Sequence, residues 1–319
     1  MWRFACGLLL VLLSFSALSQ ERYVVEKFPS RNLGERTVRI YLPASYSTNA
    51  AAKYAVLYLH DGQNVFSFAG TNVAFGWGSW ELDRTADRLA AVGQMQEIIM
   101  VAVDNSPARL AEYGGAHHAG TNELTPYEKY FAFLSNELKP AIDARYRTVK
   151  GPEGTAVMGS SMGGLCSMVL AWEHGEIFGR AASLSGAFMM NHTNFLNSTL
   201  RPYPGPRKDL RLYLDCGSVD FMGGDDGRVL TTQVADELRR IGYQDCSPSS
   251  LGTDAFRRNG PAVMLFIDEK PLTPEELEKA GLRRDKWKEA GTSQHNEFYW
   301  RRRVWRALEF LFPPRLRFP

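Results

Sequence analysis

Short continuous apolar runs alternate along this chain with longer segments in which apolar residues recur at helical spacing. Runs such as YAVLYL at 54–59 and EIIMVAV at 97–103 are typical of strands covered on both faces. The predicted strands are 22–28 and 37–42, which form a hairpin, followed by 54–59, 97–103, 155–158, 180–184, 210–214 and 262–267. The predicted helices are 80–91, 126–145, 162–174, 231–241, 274–290 and 297–312.

This alternation predicts an α/β fold, a mostly parallel central sheet with helices on both faces. Ligands of such sheets bind beyond the carboxyl ends of the strands, so functional residues should directly follow the apolar runs. The chain has 319 residues, 45% of them hydrophobic and 23% charged, which excludes a disordered or fibrous protein. A formal charge of +2 gives no sign of a nucleic-acid binder. No internal repeat or low-complexity linker divides the chain.

The first residues have the pattern of a secretory signal peptide. Arg3 supplies a positive charge, residues 4–13 are almost wholly apolar, and Ala17-Leu18-Ser19 fits a cleavage site before Gln20. The apolar run is shorter than the ~20 residues that a membrane span needs, although an N-terminal anchor is the alternative interpretation. We expect residues 1–19 to be removed. The mature protein, one domain over 20–319, should be secreted or periplasmic, with no stable insertion into a membrane.

Metal and disulfide motifs are missing from the sequence. After the leader, three cysteines remain, Cys166, Cys216 and Cys246, and no CxxC or HExxH occurs. We expect no disulfide between Cys216 and Cys246, because they should lie at opposite edges of the sheet. No metal or other cofactor is expected.

The strongest chemical signal is the G-x-S-x-G sequence at 159–163, between a predicted strand and a predicted helix. This sequence places a serine on a tight strand-to-helix turn, where its hydroxyl projects over the sheet. Ser161 is the central serine, so it is the candidate nucleophile. In α/β-hydrolases an acid and then a histidine follow the nucleophile along the chain. Of the six histidines, only His295 comes late enough to be the base.

The acid should follow the strand at 210–214, where the candidates are Asp215, Asp220, Asp225 and Asp226. Asp215 is too close to the strand to reach under an imidazole, and Asp225-Asp226 lies further out in glycine-rich sequence. We therefore predict Asp220, with Asp225 as the open alternative. The acid would orient His295 and stabilise its imidazolium form.

An acyl-transfer site also needs two backbone N–H donors for the developing oxyanion. One should be Met162, the residue after the nucleophile. The other should come from the loop HDGQN at 60–64, where either Gln63 or Gly62 would donate.

These motifs together resemble one known family. YLHDGQN (58–64), VAVDN with Arg109 and Glu112-Tyr113, GSSMGGL (159–165), SLSGAF (183–188), LDCGSVD (214–220) and HNEFYWRRR (295–303) are similar to the putative esterase family. That family contains enterochelin esterases, feruloyl and acetyl-xylan esterases, S-formylglutathione hydrolase and mycolyltransferases. The resemblance implies an α/β-hydrolase fold without a required cofactor, the triad Ser161, His295 and Asp220, and Gln63 beside Met162 in the oxyanion hole.

The chain departs from this family between its last strands and His295. Residues 244–294 form an apparent insertion that is expected to shape the substrate pocket. Trp77, Trp80, Arg109 and Tyr113 lie in loops on the pocket side and are candidate substrate-binding residues. The run Arg301 to Arg303 is expected on the solvated face of the last helix.

The leading hypothesis is an exported serine esterase that acts through an acyl-enzyme on acylated saccharide, phenolic or siderophore esters. An acyltransferase would use the same acyl-enzyme but pass the acyl group to an alcohol. A catalytically silent hydrolase-fold binding protein is the third hypothesis, although such proteins usually lose the serine or the histidine. Small-molecule or saccharide esters are the expected partners in each case.

Overall fold

The central element is one twisted sheet, seen in a computed structural model that describes residues 22–115, 123–188, 194–251 and 260–314. Its strands are β1 (Tyr23–Phe28), β2 (Arg36–Tyr41), β3 (Ala55–Leu59), β4 (Ile98–Val103), β5 (Thr155–Ser160), β6 (Arg180–Leu184), β7 (Arg211–Cys216), β8 (Gln244–Asp245) and β9 (Ala262–Ile267). They lie in the order β1-β2-β4-β3-β5-β6-β7-β9-β8. β1 pairs antiparallel with β2, and β2 with β4; every other pairing is parallel. The predicted hairpin and mostly parallel sheet are confirmed.

The helices are α1 (Leu82–Ala91), α2 (Arg109–Glu112), α3 (Pro126–Ala132), α4 (Lys139–Arg145), α5 (Met162–Glu173), α6 (Arg228–Ile241), α7 (Pro274–Lys279), α8 (Trp287–Thr292) and α9 (Glu297–Leu311). Side chains of α1 and α9 pack on one face of the sheet, and those of α3, α5 and α6 pack on the other. β3 shows why both faces are apolar: Val56 and Tyr58 contact one layer, and Leu57 contacts the opposite one.

Two predicted helices differ from those observed. The segment 126–145 contains a π-helical stretch, Phe133–Leu138, between α3 and α4. The predicted helix 274–290 is broken into α7, a 3₁₀ turn at Arg284–Lys286, and α8. The interruption coincides with Gly281, whose φ of +72° lies in the left-handed region where a helix cannot continue. No helix within the described ranges is long and apolar enough to cross a membrane.

The predicted leader at 1–19 lies outside the described residues. In the part of the chain that the structure describes, Cys166, Cys216 and Cys246 are free thiols. β3 pairs parallel with β5, β5 with β6, and β6 with β7. The carboxyl ends of β3, β5 and β7 therefore lie at the same edge of the sheet. The loops after these three strands carry the candidate chemistry.

Candidate active site

Ser161 occupies a strained turn between β5 and α5. Its φ of 54° and ψ of −122° are unfavourable for any residue other than glycine, and this backbone strain costs about 1–3 kcal/mol. The backbone holds this conformation, since the Ser161 N–H donates to the Leu184 carbonyl at 2.9 Å and the Ser161 carbonyl accepts from Ala187 N–H at 3.0 Å. The turn is tight enough that a Cβ on Gly159 would lie 2.6 Å from the carbonyl carbon of Gly163. The sequence GSSMG thus forms the turn expected of a nucleophile.

His295 lies in the loop before α9 and is paired with a carboxylate. Its Nδ1 is 2.7 Å from Oδ1 of Asp226, and its side chain is 19% exposed. Because an ionised carboxylate only accepts hydrogen bonds, Nδ1 carries the proton and Nε2 is left to act as a base. His295 and Ser161 line the same cavity.

The prediction of Asp220 as the partner of His295 is wrong. The Asp220 carboxylate instead accepts from the N–H groups of Met222 and Gly224, each at 2.8 Å. This turn folds the chain back toward the end of β7, so the residue that reaches the imidazole is Asp226. The alternative, Asp225, accepts from the N–H of Val229 at 3.0 Å at the start of α6. The turn at 220–224 determines which carboxylate reaches His295, and the spacing of the aspartates along the sequence does not reveal this turn.

Asp226 is buried and fully hydrogen-bonded. Its Oδ2 accepts from Ser185 Oγ at 2.7 Å and from the N–H of Gly217. Burial raises the pKa of Asp226, but the hydrogen bond and charge of His295, the charge of Arg303 and the Ser185 hydroxyl outweigh it and hold the pKa below its usual value. The carboxylate is therefore ionised when His295 needs a counter-charge.

Arg303 does not lie on a solvated face, as the arginine run suggested; it is 1% exposed. Its Nη2 donates to Ser185 Oγ at 2.8 Å and lies 3.2 Å from Oδ1 of Asp215. Burial lowers the pKa of Arg303, but Asp215, Asp226 and Asp268 outweigh it and raise the pKa. Arg303 thus provides a buried positive charge beside Asp215 and Asp226. Arg302, in contrast, is exposed to solvent.

Replacing Arg303 by Met is expected to destabilise the fold by about 3–5 kcal/mol, because Asp215 and Asp226 would keep buried negative charge without a cation. Urea unfolding followed by circular dichroism measures this loss. Arg302→Met is the matched control, since it removes the neighbouring exposed arginine and should change stability by no more than about 0.5 kcal/mol. Equal unfolding midpoints for the two variants would contradict this role.

The loop after β3 carries the second predicted oxyanion donor. Asp61 adopts the left-handed region with φ 56°, and Gly62 to Asn64 form a 3₁₀ turn. Gly62 is required there, because a Cβ would lie 2.8 Å from the backbone carbonyl carbons of Ala102 and Val103. The Asp61 carboxylate receives Arg109 Nε at 2.6 Å and Nη2 at 2.8 Å, a bidentate pair that fixes the loop.

Within the described chain, the backbone N–H groups of Gln63 and Met162 donate to no protein acceptor. Free N–H groups at the start of a helix and in a 3₁₀ turn are the donors that an oxyanion requires. The Gln63 side chain is held away from this task, since its Oε1 accepts from the N–H of Asn105 at 3.1 Å.

A cavity of about 1010 Å³ opens beside Ser161 and His295. Of the predicted substrate-binding residues, Trp77, Trp80 and Arg109 line it. Tyr113 does not, which corrects that prediction: it is fully buried, and its ring lies 4.9 Å from that of His60. Its hydroxyl oxygen accepts from the N–H of Asp61 at 3.4 Å, so Tyr113 supports the loop rather than contacting a ligand.

Other residues of the cavity were missed by the sequence analysis. Phe75 and Phe221 are 94% and 71% exposed at its rim, and Asn64 and Glu297 lie on its wall. The sequence alone does not distinguish an exposed aromatic residue in a loop, such as Phe75 or Phe221, from an aromatic residue of the core. The segment 244–294 supplies β9 to the sheet, and its residues Lys286, Glu289, Thr292 and Ser293 line the cavity.

Comparison with known proteins identifies the family and the fold of this chain. The family model described as "Putative esterase" matches residues 30–246. The uncharacterized protein YbbA of Bacillus subtilis is 24% identical over 160 residues, which are 49% of this chain and 58% of that protein. The chain therefore matches little more than half the length of this curated relative.

Two solved structures share the overall fold. A ferulic acid esterase superposes with a TM-score of 0.58 at 18% identity, covering 91% of this chain and 97% of the other. The enterobactin esterase of Shigella flexneri superposes with a TM-score of 0.61 at 17% identity, covering 92% and 59% of the two chains. These likenesses show the α/β-hydrolase fold for this chain.

Proposed function

Since this chain belongs to the putative esterase family, we propose that it is a serine carboxylic-ester hydrolase with Ser161 as nucleophile, His295 as general base and Asp226 as the orienting acid. The observation that carries the proposal is the 2.7 Å contact between His295 Nδ1 and Asp226 Oδ1 at a cavity that Ser161 also lines. A nucleophile, a base and an orienting acid in this order are what acyl transfer to serine needs.

The reaction begins when Ser161 Oγ attacks the ester carbonyl carbon and gives its proton to Nε2 of His295. The carbonyl oxygen becomes an oxyanion that accepts from the N–H groups of Gln63 and Met162, and Asp226 stabilises the imidazolium. The tetrahedral intermediate collapses, the bond to the alcohol oxygen breaks, and His295 returns its proton to the departing alcohol. A water molecule, deprotonated by His295, then attacks the acyl-enzyme and releases the acid and Ser161.

The proposed substrates are acylated saccharide, phenolic or siderophore esters. Two similar structures are named a ferulic acid esterase and an enterobactin esterase, and the half-buried Trp77 on the cavity wall offers a ring on which a sugar or aromatic group can stack. We further propose that the protein is exported, as the apolar pattern at 4–13 indicates.

Rapid-mixing kinetics with 4-nitrophenyl acetate test the activity. We expect a burst of about one equivalent of 4-nitrophenolate as Ser161 is acylated, followed by a slower steady rate with acetate as product. Adding a sugar acceptor in excess separates the acyltransferase hypothesis, because transfer would yield acetylated sugar in place of acetate. No release of 4-nitrophenolate by the folded protein, with any of several acyl groups, would contradict the proposal and favour a binding protein.

A further inference from the structure

Glu297 is a cavity carboxylate that the proposed reaction does not use. It is the first residue of α9, two residues after His295, and it lines the cavity. Its Oε1 accepts a hydrogen bond from Asn64 Nδ2 at 3.2 Å. Asn64 belongs to the same 3₁₀ turn as the oxyanion donor Gln63. Glu297 therefore lies on the cavity wall between the base and the oxyanion loop.

The other carboxylates on the cavity wall each have a cation. Asp61 is paired with Arg109 at 2.6 Å, and Glu289 is paired with Lys286 at 3.0 Å. Among the residues that the structure describes, no basic side chain lies within 4.0 Å of the Glu297 carboxylate; its one hydrogen-bond donor from another side chain is neutral. A largely buried carboxylate with unused acceptor capacity is costly, and a ligand that donates a hydrogen bond would relieve that cost.

The surroundings of Glu297 place its titration near neutrality. Burial raises its pKa most, its own backbone N–H lowers it, Asp61 raises it and Arg109 lowers it, with a result of about 7. The other charged or titratable groups on the cavity wall are His295, Lys286 and Glu289. Since a carboxylate loses its proton as pH rises, Glu297 is mainly neutral below pH 7 and mainly anionic above it.

We propose that Glu297 and Asn64 form a substrate subsite that accepts a hydrogen bond from a hydroxyl or ammonium group and excludes anionic groups. The proposal rests on the esterase function proposed above. A hydrogen-bond donor on the substrate uses the remaining acceptor capacity of this carboxylate, whereas a carboxylate or phosphate on the substrate meets like charge at a largely buried group. Glu297 thus determines which esters enter; it does not take part in bond breaking.

Four 4-nitrophenyl esters of six-carbon acids test this subsite: hexanoate, 6-hydroxyhexanoate, 6-aminohexanoate and the monoester of adipate. The measured quantity is kcat/KM for each ester relative to hexanoate, at pH 6 and pH 8.5. Because all four esters require the same serine, histidine and leaving group, any pH dependence of these shared steps cancels in the ratios. The adipate carboxylate is ionised at both pH values.

In the wild-type protein, we expect discrimination against adipate to increase by about tenfold between pH 6 and pH 8.5, as Glu297 becomes anionic. Glu297→Gln should show a ratio independent of pH, because glutamine keeps the acceptor for Asn64 without the charge. Glu289→Gln is the matched control, a cavity-wall carboxylate already paired with Lys286, and it should retain the wild-type increase. A role limited to the start of α9 would change the melting temperature of Glu297→Gln without changing the ratio.

The hydroxyl and ammonium esters identify the donor. Whichever is preferred over hexanoate at pH 8.5 should lose that preference in Glu297→Gln. A wild-type adipate ratio that does not change with pH, or no preference for either donor, would overturn the subsite while hexanoate is still hydrolysed. No hydrolysis of hexanoate by the wild-type protein would instead contradict the esterase function itself.

Discussion

Ser161→Ala is expected to lower kcat for ester hydrolysis by about 10⁵–10⁶, because the acyl-enzyme cannot form without the hydroxyl. The strained backbone of residue 161, with φ 54°, is set by hydrogen bonds to Leu184 and Ala187, so alanine should occupy the same turn. Steady-state hydrolysis of 4-nitrophenyl esters, with urea unfolding to verify the fold, measures the loss.

Ser160→Ala is the matched control for this experiment. Ser160 is the preceding residue, lies at the end of β5 and is 3% exposed, but its backbone does not have the positive φ of Ser161. We expect its activity to remain within about tenfold of wild type, far above that of Ser161→Ala. Equal losses in the two variants would show that the segment is sensitive to any substitution and would remove the argument for Ser161 as nucleophile.

Asp226→Asn is expected to lower kcat by about 10⁴, because an amide cannot stabilise the imidazolium of His295 and favours the wrong tautomer. The amide keeps the size of the carboxylate and can still accept from Ser185 or Gly217, so the loop should remain in place. Comparing kcat on one activated ester isolates the effect from differences in substrate binding.

Asp220→Asn supplies the comparison, since both aspartates belong to the same loop and only Asp226 contacts His295. The Asp220 side chain accepts two backbone N–H bonds through Oδ1, and an asparagine carbonyl can accept the same bonds. We expect Asp220→Asn to retain activity within about threefold of wild type. Loss of activity in Asp220→Asn, with Asp226→Asn unaffected, would reverse the assignment made from the structure.

The sheet could be predicted from sequence because its central strands are buried on both faces. Every residue of β3 and β4 is buried and apolar, so each of these strands appears as a continuous apolar run. The break between α7 and α8 was not predicted, because Leu277 and Ala290 continue an apolar pattern across Gly281. The spacing of apolar residues indicates which side chains are buried, but it does not indicate where the axis of a helix changes direction.

The nucleophile and base could be located because their evidence is local: a glycine-flanked serine after a strand, and one histidine late in the chain. The acid could not, because Asp226 is positioned by partners distant in sequence, including Ser185 and the N–H of Gly217. Several aspartates follow β7, and sequence spacing alone does not reveal which one the turn at 220–224 brings to His295.

The burial of Arg303 is another feature that the sequence does not reveal. Three consecutive arginines in a helix suggest a solvated face, yet neighbouring helical residues point about 100° apart. Arg303 points at the sheet, where Asp215 at the end of β7 provides the opposite charge at 3.2 Å. A buried arginine requires such an acceptor, and the sequence does not show that β7 and α9 face each other.

The central claim, an activated Ser161 served by His295 and Asp226, is tested most directly by intact-mass measurement after reaction with a fluorophosphonate. An activated serine displaces fluoride and keeps the phosphonyl group, so the wild-type protein should gain the mass of one adduct. Ser161→Ala should gain none, and Asp226→Asn should react far more slowly than Asp220→Asn. A folded wild-type protein without an adduct, or an adduct that persists in Ser161→Ala, would contradict the account.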